Sequence, residues 1–128
     1  MQGRVNSLLE AELTVRFYGP SGQFLDVNLV VDTGYTGRIV LPEDYIQSLG
    51  LRPLNTSFAV LADGSTVRLD TYTAEFDWFG QRLAVVVSSL GSDPLLGMTL
   101  MDGFDLRVEI RAGGEVELKP IGTMGVSP

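Results

Sequence analysis

A chain of 128 residues with 45% hydrophobic content and 15 glycines fits one turn-rich globular domain, which buries roughly two-thirds of its unfolded surface and needs no disulfide or metal to fold. It contains neither cysteine nor histidine. That removes thiol catalysis, disulfide scaffolding, thiolate and imidazole metal sites, and any nucleophile that relies on an imidazole base. The 16 acidic residues outnumber 9 scattered basic ones, which argues against a nucleic-acid partner.

Proton transfer at neutral pH is left to carboxylates, tyrosines and the single lysine, Lys119. Carboxylate chemistry leads for an enzyme without a cofactor, and none is called for. Met1 to Glu10 lacks the charged-then-apolar pattern of a signal peptide. The longest apolar run, Leu83 to Val87, is far too short to span a bilayer. The expectation is a cytoplasmic protein with no membrane contact.

Residues 9 to 17 alternate, with Leu9, Ala11, Leu13, Val15 and Phe17 on one side and Glu10, Glu12, Thr14 and Arg16 on the other, as a half-buried strand does. The turn signal Gly19-Pro20-Ser21-Gly22 leads into a second alternating run, Phe24 to Val31, and the two read as a hairpin. A small-residue segment, Thr33 to Gly37, follows Asp32, and Ile39 to Leu41 reads as a short strand. Pro42 to Leu49 reads as a helix: proline in first position, Glu43 and Asp44 in the first turn, Gly50 as the stop, Ile46 and Leu49 as its apolar face.

Phe58 to Ala62 and Thr66 to Tyr72 flank Asp63-Gly64, a short hairpin signal. Phe76 to Phe79 and Leu83 to Val87 flank Gly80-Gln81, a second hairpin. A helical turn is expected near residues 98–102, then an alternating strand from Phe104 to Ile110, a Gly113-Gly114 turn and a last strand, Val116 to Leu118. Residues 1–8 and 120–128 read as loosely ordered or at a dimer interface. About nine or ten short strands with turns every ~8–12 residues make an all-β sandwich or barrel. One coarse echo is present: Leu29-Val30-Val31 before Asp32, and Leu95-Leu96-Gly97 later.

The segment that carries chemistry is Asp32-Thr33-Gly34. An acid at the end of an apolar strand is held by a rigid element while the next loop exposes it. Gly34 allows another backbone to come close, and the Thr33 hydroxyl offers a tie for the loop. On its own the tripeptide occurs by chance, and the plainer reading is an Asp opening a turn.

The wider constellation, Val30 to Gly37 followed by Ile39-Val40-Leu41-Pro42 and a helix, resembles the active-site segment of the retropepsin-like aspartic peptidases, most of all their small prokaryotic members. Asp63-Gly64 lies where that family has its flap, and Pro94 to Leu100 is similar to its second hydrophobic-hydrophobic-Gly motif. The likeness runs from about Leu13 to Leu118. It implies a small closed barrel of the retropepsin-like acid protease fold, all-β, with one short helix after the Asp-Thr-Gly loop, and one such domain spanning residues 1–128. It further implies that Asp32 is catalytic, that Thr33 hydrogen-bonds across a dimer and that Gly34 borders the substrate backbone. Leu96 and Gly97 would support the catalytic loop, and Ala62, Asp63, Gly64 and Ser65 would close over a peptide or protein substrate.

Peptide hydrolysis by carboxylates needs one group to take a proton from water and another to protonate or polarise the substrate, so two acids share a site and one proton. The sequence holds one Asp-Thr-Gly and no Asp-Ser-Gly. The second acid is therefore expected from a second copy of the chain, in a homodimeric aspartic endopeptidase.

Three departures from the retroviral pattern stand out. Tyr35 is bulky where a small residue is common, and shapes a pocket or fills a core; Met98 and Thr99 replace a dimer-locking arginine; the flap carries a single glycine, Gly64. The last two motivate the alternative of a catalytically idle dimerisation or peptide-binding module of the same fold. A carboxylate hydrolase acting on sugars would need a second acid facing Asp32 at a set separation, and the order of residues singles none out. Trp78 reads as core or interface. Asp102, Asp105, Glu115 and Glu117 read as solvated, and Asp70 and Asp77 lack metal-loop spacing.

Overall fold

The computed structural model describes residues 1–122. The elements in chain order are β1 (Gln2–Val5), β2 (Ala11–Tyr18), β3 (Phe24–Val31), β4 (Ile39–Leu41), α1 (Glu43–Leu49), β5 (Arg52–Val60), β6 (Thr66–Trp78), β7 (Gln81–Ser89), β8 (Leu95–Leu96), β9 (Phe104–Val108) and β10 (Glu115–Pro120). The sheet runs β5-β6-β7-β4-β8-β3-β2-β1-β10-β9, and a further β2–β6 pairing closes six of these strands into a barrel. The closure pairs the C-terminal parts of β2 and β6, which β1 and β5 leave uncovered.

The closure is made by Phe17 opposite Phe76 and Tyr18 opposite Glu75. Phe17 and Phe76 stack with ring centroids 5.8 Å apart, and Trp78 extends the stack to Phe79 and Phe104. Trp78 is thus a core residue. The alternating sequence of β2 and β3 puts Leu13, Val15, Phe17, Val27 and Leu29 inside, where each fully buried large side chain contributes roughly 1.5–3 kcal/mol. α1 adds Ile46 and Leu49 to the hydrophobic core. The helix starts at Glu43, one residue later than its sequence reading, with Pro42 at the N-cap position, and Gly50, in the left-handed conformation, ends it.

Several boundaries differ from the sequence reading. Part of the stretch 1–8 is ordered in β1, which bridges β2 and β10, and the Met1 amino group donates to the Leu118 carbonyl. Leu9 belongs to the turn before β2, at φ 62°. The two strands read at 66–72 and 76–79 are one continuous strand, β6, of 13 residues. It serves β5 with its first half, β7 with its second and β2 at its end, so polar Thr73 and Glu75 do not interrupt it. The second hairpin turns at Phe79-Gly80, one residue early, both at positive φ, as a two-residue type I′ turn requires. The helical turn expected near 98–102 is a series of three-residue closures, Met98 to Met101, Thr99 to Asp102 and Met101 to Phe104. Of the stretch 120–128, Pro120 ends β10 and Ile121 donates to the Gly103 carbonyl; 123–128 lie outside the described residues. No helix among the described residues is long and apolar enough to cross a membrane.

Candidate active site

Consecutive strands β3 and β4 do not pair with each other. β8 lies between them, parallel to β3 through Val30↔Leu95 and Val31↔Leu96, and antiparallel to β4 through Ile39↔Leu96 and Val40↔Leu95. The echo between the two apolar motifs is thus a pair of neighbouring strands. The chain from Asp32 to Arg38 must arch over the end of β8, and this arch carries the Asp-Thr-Gly segment.

Backbone bonds fix the arch at each step. The Asp32 amide donates to the Leu96 carbonyl (2.9 Å), the Gly97 amide to Arg38 (2.7 Å), the Met98 amide to Tyr35 (2.8 Å) and the Thr99 amide to Gly37 (3.1 Å). The Thr99 hydroxyl donates to the Thr36 carbonyl. Gly97 is required by this close approach: a Cβ there would collide with the Gly37 carbonyl and lie 2.6 Å from Tyr35 Cδ2. Leu96, fully buried, anchors β8 in the core beneath.

Asp32 is half-buried, while Thr33 and Gly34 are exposed. The Asp32 carboxylate accepts a hydrogen bond from the Gly34 amide (2.9 Å); the other oxygen and the Thr33 hydroxyl have no partner among the described residues. Both residues line a cavity of about 620 Å³ with Val30, Val31 and Leu95 on one side and Leu106, Val108 and Ile110 on another. That size falls within the roughly 300–1,000 Å³ of small-ligand and side-chain sites. Its exposed apolar rim includes Leu9, Leu90 and Ile110. Two further carboxylates, Glu10 and Asp93, line the same cavity. Glu10 is engaged by the Asn6 side-chain amide, and neither is hydrogen-bonded to Asp32 among the described residues.

The hairpin β5–β6 carries Ala62, Asp63, Gly64 and Ser65 at its tip, all exposed. The loop is one residue longer than a two-residue turn. The Gly64 amide closes on the Leu61 carbonyl, and Gly64 sits at φ 86°, a backbone position that favours glycine. The Asp63 carboxylate accepts from the Ser65 hydroxyl (2.6 Å) and amide (2.9 Å), bonds that hold its pKa below the usual carboxylate value. None of these four residues lines the cavity beside Asp32.

Asp32, Thr33, Gly34, Leu96 and Gly97 therefore come together, and the hairpin tip stands apart from them. Sequence reading missed the cavity walls from Leu9, from Leu90 to Asp93, and from β9. The alternation of Leu106, Val108 and Ile110 was legible, but which barrel end it would face depends on the strand order. Tyr35, left between pocket and core, is half-buried and packs inside the arch against Gly37 and Gly97. Among the described residues no group of three or more acidic side chains is placed to hold a metal ion.

No protein-family model matches the sequence, and no curated protein is significantly similar to it. Among solved structures, a retropepsin-like aspartic protease from Rickettsia conorii superposes with a TM-score of 0.56 at 16% identity, over 95% of this chain and 91% of that one. With the closed six-stranded barrel and the β8 strand threaded between β3 and β4, the chain has the retropepsin-like acid protease fold.

Proposed function

We propose that this chain is an aspartic endopeptidase active as a homodimer, in which two Asp32 side chains activate the water that attacks a peptide bond. The observation that carries the proposal is the setting of Asp32: a half-buried carboxylate on a braced arch, open to an apolar cavity of about 620 Å³. One carboxylate of the pair takes a proton from water while the other protonates the carbonyl oxygen of the scissile bond; a single proton shared between them suits both roles. Because neither Glu10 nor Asp93 is bonded to Asp32, a second copy is the natural source of the second acid. Exposed Thr33, whose hydroxyl has no partner among the described residues, and apolar Leu9, Leu90 and Ile110 offer the surface for that copy. In this reading Thr33 and Gly34 support the active-site loop together with Leu96 and Gly97, and the tips bearing Ala62, Asp63, Gly64 and Ser65 close over the bound peptide, which lies extended with strand-like hydrogen bonds.

Thr99, which ties the arch by its hydroxyl and amide, occupies the stretch where a retroviral arginine would be expected. It braces the loop without a charge for a partner. This favours, as a second reading, a dimerisation or peptide-binding module of the same fold without catalysis. A peptide-library digest at acid and neutral pH, run with the chain and with Asp32→Asn, separates the two: cleavage lost in the variant supports the peptidase, and cleavage by neither supports the module. Cleavage that persists in Asp32→Asn overturns the mechanism.

A further inference from the structure

We infer that Tyr35 is a positioning residue for the Asp32 carboxylate, its ring acting as the spacer that sets the height of the arch above β8; this deepens the peptidase reading and rests on it. Tyr35 is tied to both sides of the arch by its backbone, its amide donating to the Asp32 carbonyl (3.2 Å) and its carbonyl accepting from Met98 (2.8 Å). Its ring lies in the space that two missing side chains leave. A Cβ on Gly37 would stand 2.8 Å from Tyr35 Cε1 and closer still to the phenol oxygen, and a Cβ on Gly97 would stand 2.6 Å from Cδ2.

The two glycines differ in one respect that makes the idea testable. At Gly37 all three of the nearest obstacles are atoms of the Tyr35 side chain; at Gly97 the Gly37 backbone blocks as well. The ring and Gly37 are therefore a matched pair, and Gly97 is fixed by backbone whatever the ring does. The phenol hydroxyl has no hydrogen-bond partner among the described residues, so the ring acts through its volume. With the ring gone, the arch between Asp32 and Arg38 loses the body that packs it against β8, and the carboxylate loses its fixed position relative to the cavity.

The test uses Tyr35→Phe, Tyr35→Ala, Gly37→Ala and the double variant, with Val116→Ala in β10 as a core change remote from the arch. Two readouts are taken: the NMR shift of the Gly34 amide proton, which reports its bond to the Asp32 carboxylate with or without cleavage, and kcat and KM on a cleaved peptide. Tyr35→Phe should match the parent in both. Tyr35→Ala and Gly37→Ala should each move the Gly34 proton toward its free value and lower kcat ~10-fold or more at little change in KM, the scale on which small misplacements of catalytic groups act. In the double variant Gly37→Ala should add nothing further, because its obstacle is gone. Val116→Ala should lower stability and leave the Gly34 proton and kcat unmoved. A Tyr35→Ala protein with the parent's Gly34 shift, or a double variant in which the two losses simply multiply, would overturn the inference. If no variant and no parent cleaves any peptide, the peptidase reading fails while the Gly34 shift still decides the role of Tyr35.

Discussion

The Asp32 arch and the Asp63 hairpin both reverse the chain between strands, but they are held by different means. The arch is tied by backbone bonds to a buried strand, and β4, which receives it, is buried throughout, with Ile39, Val40 and Leu41 no more than 2% exposed. The hairpin has almost no core beneath it: Phe58 and Val60 are 69% and 72% exposed and face Arg68 and Thr66 across the ladder. Its tip is closed by bonds local to residues 61–65, from Leu61 to Ser65, from Gly64 to Leu61 and from Ser65 to Asp63. Under the proposed function, a rigid seat for a reacting carboxylate and a cover held by few buried contacts are what a peptidase would need from these two places, because the cover would have to open at low cost while the carboxylate stayed fixed.

Changes in the arch and the strands beneath it should therefore act on chemistry or on global stability, and changes in the hairpin should have little effect on global stability. The largest effect is expected for Asp32→Asn, which removes the proposed proton-transfer group and should lower peptide cleavage by about 10²–10⁴-fold or more. Its denaturation midpoint should stay close to the parent's, since among the described residues the carboxylate makes one hydrogen bond, to Gly34. A large stability loss would mean that Asp32 is a structural residue. Leu41→Ala, in a fully buried strand, should cost about 2–5 kcal/mol by urea denaturation, whereas Val60→Ala at the end of β5 should stay within about 0.5 kcal/mol. Equal costs would erase the contrast. Gly97→Ala should cost about 1–3 kcal/mol by overpacking against the Gly37 carbonyl, and should depress cleavage more than that loss of folded protein explains.

The smallest effect concerns pH. The Asp63 pKa lies below its ordinary 3.8 because the Ser65 hydroxyl and amide favour the charged form. A lowered folded-state value means that the tip bonds are fully present above the ordinary pKa and are lost only as pH falls through the lowered one. The Ser65 amide shift should then be flat from neutral pH down to about 4 and move below it, with the denaturation midpoint hardly following. A shift that moves already at pH 6 would assign the tip to another group.

Local chemistry was legible in the sequence, and spatial assembly was not. The alternation of β2 and β3, the proline and acids opening α1 and the isolated Asp-Thr-Gly are short-range signals, each fixed by residues within a few positions. Leu96 and Gly97 were named through the resemblance of Pro94 to Leu100 to the second hydrophobic-hydrophobic-Gly motif of the retropepsin-like peptidases. By contrast, β6 was read as two strands because its middle, from Thr71 to Glu75, carries polar residues at a place where the strand changes partners. β1 lacks a strong pattern of its own and is ordered by β2 and β10 on either side. The cavity walls join segments from Leu9 to Ile110, and only the barrel's closure brings these together. Tyr35 could not be assigned from its own position, because its neighbours are two glycines whose approach depends on β8 passing under the arch.

The claim that two copies each contribute one Asp32 is tested most directly by mixing. Asp32→Asn protein is added to the parent at fixed parent concentration, after exchange of subunits, and cleavage per parent chain is followed. With dimers formed at random, equal amounts should leave about half of the parent chains with a competent partner, so cleavage per parent chain should fall by about half and continue downward as more variant is added. Cleavage per parent chain that stays constant at every ratio would contradict a site shared between copies.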